Sequence, residues 1–133
     1  MYTHIIHLAD IHIVTDRQDE YRQVFDSTFR KIKELSKTPL IIVAGDIIHC
    51  KAKITPEVIN MTNFFFEGLG QIGETIICSG NHDLILNNIN RKKYLDVIQK
   101  HDNVRYIGTT GEYIYNNIVL GISTLDDEKF IKH

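Results

Sequence analysis

"TPLIIVAGD", residues 38–46, is the segment from which the architecture is read. Its side chains are apolar without a break over residues 40–44, so neither face is set aside for water. A strand with one wet face alternates apolar and polar residues. An unbroken apolar run fits a strand covered on both sides, as in the parallel sheets of α/β proteins. The run stops at Gly45-Asp46, a polar pair placed where such a strand would leave the sheet.

Flanking segments repeat the pattern. Upstream, "THIIHLA" (3–9) reads as a short buried strand. Between the two, residues 19–36, "DEYRQVFDSTFRKIKELS", put Tyr21, Phe25, Thr28 or Phe29, Ile32 and Leu35 on one helical face. Arg22, Arg30, Lys33 and Glu34 make the opposite face a solvated one. Downstream, Thr55-Pro56-Glu57 has the order of a helix start: a capping hydroxyl, a proline in the first turn and an acid at the positive end. The helix it opens carries Val58 or Ile59, Thr62, Phe65 or Phe66 and Leu69 on its apolar side, and Gly70 and Gly73 close it. "ETIICS" (74–79) gives a third strand, and "NRKKYLDVIQKH" (90–101) a shorter helix with Tyr94, Val97 and Ile98 inward. After an Asp102-Asn103 turn, "VRYIG", "EYIYN" and "NIVLGIS" are strand-like, and Asn116-Asn117 is a two-residue hairpin signal. The order is β-α-β-α-β-α followed by a hairpin-forming second sheet, an α/β class.

The 133 residues suffice for one domain with a core of its own. A net charge of −2 exerts no global pull on nucleic acid, although local basic clusters would suffice for one. The N-terminal residues turn polar too soon for a signal peptide, and no apolar run reaches membrane-spanning length. The expectation is a cytoplasmic or nuclear protein with no membrane partner. Cys50 and Cys78 form no metal-type pair and read as free thiols, Cys78 buried in its strand.

Right-handed crossovers make the three strands parallel, so their carboxyl ends share one edge, where ligands of open α/β sheets collect. The first strand ends in Asp10-Ile11-His12. The second ends in Gly45-Asp46 with His49 three residues on, and the third in Gly80-Asn81-His82-Asp83. Asp10 and Asp46 are 36 positions apart, Asp46 and Asn81 35, about one strand-helix unit each. Any one cluster is explained as turn and cap chemistry. Three at successive strand ends are not. Asp, His and Asn suit a hard-to-borderline divalent ion, and the lack of thiolates argues against a structural zinc site. Two such ions bring four positive charges against the two negative ones of Asp10 and Asp46. The excess would hold a phosphate ester.

These motifs, Asp10-x-His12, Gly45-Asp46-x-x-His49 and Gly80-Asn81-His82-Asp83, resemble the first three of the calcineurin-like metallophosphoesterases, over residues 4 to about 90. With "KAKITPEVINMTNFFF" after it, the histidine three beyond Asp46 resembles the SbcD-type DNA repair nucleases and their relatives in large DNA viruses and T-even phages. The resemblance implies the N-terminal part of an α/β/β/α sandwich, and two divalent ions, manganese first, with magnesium, iron or zinc as alternatives. It implies that Asp10 and His12 bind the first metal, that Asp46 bridges both and that Asn81 binds the second. His82 would contact the scissile phosphate and help protonate the leaving oxygen, and Asp83 would orient its ring. His49 would position the phosphate or assist His82. DNA as substrate, a role in repair or recombination, an SbcC-type ATPase partner and, for a eukaryotic virus, a viral-factory location are implied in the same way. A phosphomonoesterase acting on a phosphoprotein or nucleotide, and a non-catalytic scaffold of the same fold, are the rival readings.

Other prominent residues take plainer roles. His4 and His7 read as structural, His101 as a helix-end residue, and Phe64, Phe65 and Phe66 as packing; Arg91-Lys92-Lys93 reads as a solvated face or a contact to a DNA backbone. The family pattern continues with another histidine and a Gly-His-x-His pair, which do not follow Asp83 here. The expectation is therefore a partial domain, 1–133, inactive by itself.

Overall fold

A computed structural model of the chain describes residues 1–49, 54–80, 83 and 100–127. Four parallel strands form the central sheet in the order β1-β2-β3-β4: His4–Leu8, Pro39–Ala44, Glu74–Cys78 and Val104–Tyr106. Helix α1 (Gln18–Leu35) connects the first two and α2 (Pro56–Ile72) the next two. A separate antiparallel pair, β5 (Gly111–Tyr115) and β6 (Ile118–Ile122), is joined at Asn116-Asn117. Asn116 has the left-handed backbone (φ 55°) that a two-residue hairpin turn demands and that asparagine tolerates. The α/β class and the hairpin are as the sequence predicts. The "VRYIG" strand, however, joins the first sheet beside β3 rather than the second.

Each face of the central sheet is a core. Ile41 and Val43 of β2 and Ile77 of β3 face the helices, packing with Phe25, Phe29 and Ile32 of α1 and Val58, Met61, Phe65, Phe66 and Leu69 of α2. The Phe25 and Phe65 rings lie 4.4 Å apart between centroids, a distance at which aromatic pairs attract beyond their buried area. Leu40 and Ile76 point the other way, to Ile107 and to Tyr115, Ile118, Leu120 and Ile122 of the hairpin. The alternation of adjacent residues between two cores accounts for the unbroken apolar run of β2. Helix α2 begins as read: Thr55 is the N-cap, its hydroxyl accepting from the Val58 amide, and Pro56 opens the first turn. Phe65 and Phe66 are buried, and Phe64 packs at the core margin under the Arg22 guanidinium.

Four further expectations are corrected. Strand β1 is not buried: it borders the sheet, His4 and His7 are exposed, and Ile5 retains 51% of its surface because the hairpin covers β2 and β3 instead. Leu35 stays 62% exposed, since it closes α1 beyond the last turn that lies on the sheet. Gly70 does not end α2 but lies buried within it, and Gly73 alone is the C-cap. Cys78 is half-buried rather than buried. Most of the helix predicted over 90–101, with Arg91, Lys92, Lys93, Tyr94, Val97 and Ile98, lies outside the described residues, as does Cys50. His101 meets Asn63 of α2, its Nε2 3.2 Å from Oδ1. Among the described residues no helix is long and apolar enough to cross a membrane.

Candidate metal centre

The loops leaving β1 and β2 are fastened to each other before any side chain is considered. The Asp10 amide donates to the Gly45 carbonyl (3.3 Å), His12 to Asp46 (2.9 Å) and Ile13 to Ile47 (2.8 Å); the His49 amide returns a bond to Ile13 (3.0 Å). Ile13 and Ile48 thus extend the parallel pairing past the strands, with Ile13, Ile47 and Ile48 buried beneath the loops. Between these bonds the chain is kinked. Asp10 (φ 56°), His12 (φ 52°) and Asp46 (φ 52°) are left-handed, as is Gly45 (φ 80°). Asp and His are among the non-glycine residues that tolerate this region best. Such unfavourable backbone survives only where its surroundings impose it, and it concentrates at functional sites.

The kinks bring together one ligand atom from each of Asp10, His12 and Asp46, all within 4.8 Å of one another. His12 Nε2 lies 3.6 Å from Asp10 Oδ1. Asp10 is exposed, while His12 and Asp46 are half-buried, so the group opens to solvent at the carboxyl edge of the sheet. Two carboxylates and an imidazole are donors suited to a divalent ion of the magnesium, manganese, iron or zinc kind. Beside Asp10, a cleft of about 250 Å³ is lined by Leu8, Ile11, Arg17, Tyr21 and Phe25 among others.

The β3 loop is set against this group by two glycines. A Cβ on Gly45 would come within 2.6 Å of the Gly80 Cα, and one on Gly80 would collide with the Asp46 carboxylate and amide. Asp83 locks the approach. Its Oδ1 accepts from the Ile47 (2.8 Å) and Ile48 (2.7 Å) amides, and its Oδ2 from Gly80 (2.8 Å). Burial pushes the Asp83 carboxyl above the ordinary carboxylate range, and the charge of Asp46 adds to this; the Ile48, Gly80 and Ile47 amides pull it down. The described partners of Asp83 are therefore backbone amides of the β2 and β3 loops. Asn81 and His82 lie outside the described residues.

His49 comes to the cluster through His12, with the two Nδ1 atoms 3.1 Å apart and the rings 5.2 Å between centroids. His4 and His7 stand apart on β1. Some working residues carry no motif. Tyr21, legible only as part of the apolar face of α1, donates its hydroxyl to the His12 carbonyl (2.7 Å) and receives the Val14 amide (3.3 Å). A tyrosine near the start of the helix that follows Asp-x-His was the available signal. At the far end of the edge, Asp126 Oδ2 accepts from Tyr106 (2.6 Å) and Ser79 (2.8 Å), and Asp127 accepts from the Thr110 amide and hydroxyl (both 2.7 Å). The Asp-Asp pair after β6 was its only trace in the sequence.

A parallel sheet with helices on one face thus brings Asp10, His12 and Asp46 together at its carboxyl edge, an arrangement suited to a divalent ion. The calcineurin-like phosphoesterase family matches residues 3–132, and the chain belongs to that family. It is also 36% identical over 135 residues to uncharacterized protein R555 of Acanthamoeba polyphaga mimivirus, an alignment covering 96% of this chain and 10% of the viral protein. The chain thus spans about a tenth of the length of that relative. No solved structure matches it.

Proposed function

We propose that the chain is the metal-binding part of a phosphodiesterase of the SbcD-type nuclease branch, acting on DNA with two divalent ions, manganese first. The observation that carries the reading is the convergence of Asp10, His12 and Asp46 on the strand ends, with His49 against His12. Bound there, divalent ions supply Lewis acidity to the phosphoryl group and a nucleophilic water at neutral pH. Asp46 is assigned to both ions, Asp10 and His12 to the first and Asn81 to the second. His82 contacts the scissile phosphate and gives a proton to the leaving oxygen; Gly80, two residues before it in the chain, lies against Gly45 and Asp46. Within residues 1–133 the first ion has three side-chain ligands and the second only two. The isolated polypeptide is therefore expected to take up one manganese ion tightly and to turn over no substrate. An SbcC-type ATPase partner and a role in repair or recombination belong to the same proposal.

The test is made on the full-length protein loaded with manganese. It should cut single-stranded or end-exposed DNA faster than a nitrophenyl phosphate monoester. His82→Ala should retain metal and lose about 10²–10⁴-fold in single-turnover rate, the usual worth of general-acid assistance. Brisk monoester turnover without action on any DNA would replace the nuclease by a phosphomonoesterase.

A further inference from the structure

His12 and His49 approach through like atoms, Nδ1 to Nδ1 at 3.1 Å. A hydrogen bond between two neutral imidazoles needs one proton on that line, so one ring donates and the other accepts. The cluster decides which. His12 turns Nε2 towards Asp10 (3.6 Å), and that nitrogen must be unprotonated to bind an ion. A neutral His12 then carries its proton on Nδ1 and donates it, while His49 accepts at Nδ1 and carries its own proton on Nε2.

We infer that His49 is a positioning residue for the first metal: its Nδ1 accepts from His12 and fixes the tautomer and ring angle in which His12 Nε2 is a ligand. The inference rests on the metal reading above. Backbone bonds hold both rings from outside the pair. The His49 amide is tied to Ile13, the residue after His12, and Tyr21 holds the His12 carbonyl, so neither ring's backbone can drift from the other. Partners that accept from the remote nitrogen of a ligating histidine orient it and raise its basicity, and their loss typically costs about 10–100-fold in metal affinity. The Nε2–H that remains on His49 is a donor, so contact with phosphate through that atom is compatible with the pairing.

Calorimetric titration of the 133-residue chain with manganese tests this, using wild type, Asp46→Ala, His49→Ala and His49→Asn. The Asn carbonyl oxygen takes the place of Nδ1 as acceptor. His49→Ala should weaken the tight site about 10–100-fold, and His49→Asn should recover most of the loss. Long-range nitrogen–proton spectra of the wild-type magnesium complex should show His12 protonated at Nδ1 and His49 at Nε2. Unchanged affinity in His49→Ala, with Asp46→Ala impaired, would overturn the role of His49 and leave the metal site standing. Equal loss in both His49 variants, or His12 protonated at Nε2 in the complex, would overturn the hydrogen-bond account. A wild type without manganese uptake, or one matched by Asp46→Ala, would overturn the metal reading and the inference together.

Discussion

The carboxylates along the edge where the parallel strands end are put to two uses. At the β1–β2 end, Asp10 and Asp46 turn towards each other and His12, and Asp10 keeps 73% of its side-chain surface in solvent. At the β3–β4 end, Asp126 and Asp127 are occupied by protein donors: Ser79, Tyr106 and Thr110. Asp83, only 8% exposed, stands between the two and spends both oxygens on backbone amides. A carboxylate whose oxygens accept from fixed backbone donors ties segments of the fold together, whereas two carboxylates that face one another repel, a cost that a cation removes. The two halves of one edge are a candidate cation site and its frame.

The strongest test of that division is Asp46→Ala in the full-length protein. Tight metal uptake and hydrolysis should both disappear, while the thermal transition of the metal-free protein moves little. Calorimetry, single-turnover rates and a melting curve give the three readings. A metal-free protein that melts far lower would make Asp46 part of the frame.

Asp83→Ala should show the opposite profile. It strands the amides of Ile47, Ile48 and Gly80, and buried donors left unpaired cost ~1–3 kcal/mol each. A loss of about 3 kcal/mol or more is expected, roughly 10 °C in melting temperature for a chain of this size. Asp83→Asn, which retains an oxygen for Ile47 and Ile48, should fall between. Lost turnover at unchanged stability would instead favour Asp83 as the residue orienting His82.

The sequence displayed the cation site better than its frame, for a physical reason. Ligands must be Asp, His or Asn and must sit at strand ends, so Asp10, His12 and Asp46 stood out by type and by spacing. The Thr55-Pro56 start of α2 and the Asn116-Asn117 turn were legible because their backbone geometry admits few residue types. The frame is made of contacts between residues common anywhere. Nothing about Ser79, Tyr106 or Asp126 foretells that three distant segments meet. The exposure of Ile5 was hidden because an edge strand can be as apolar as a central one. Helix α1 starts after a left-handed Arg17 with no side-chain cap, so no capping residue marked its first turn.

Within the frame, Asp126→Ala should cost less than Asp83→Ala. Ser79 and Tyr106 lose a charged acceptor, but their oxygens lie 2.8 Å apart, so one hydroxyl then donates to the other, and Tyr106 borders solvent. About 1–2 kcal/mol is expected from urea unfolding. Manganese affinity should not change, since Asp126 belongs to the β3–β4 end. A variant that lost both stability and metal would erase the line between the halves.

The smallest effect concerns Cys78, at the end of β3 next to the Asp126 clamp. Burial, and secondarily the charge of Asp126, push its thiol from 9.0 up to about 11. Only the thiolate is alkylated, so two pKa units mean roughly 100-fold less reactive sulfur near neutral pH. In a Cys50→Ser background, iodoacetamide should label Cys78 about that much more slowly in the native chain than in urea, with mass spectrometry as the readout. Asp126→Ala should quicken native labelling by removing the nearby negative charge. The sign carries over to stability. A thiol whose folded pKa is raised favours the native state below its unfolded value, and that contribution drains away as pH rises from about 9 through about 11. Tyr106 is shifted upward too, by burial first and then by its bond to Asp126, so its ionisation in the unfolded chain adds to the alkaline loss. Native labelling as fast as in urea would mean that the end of β3 opens freely, and the β3–β4 half would then be no frame at all.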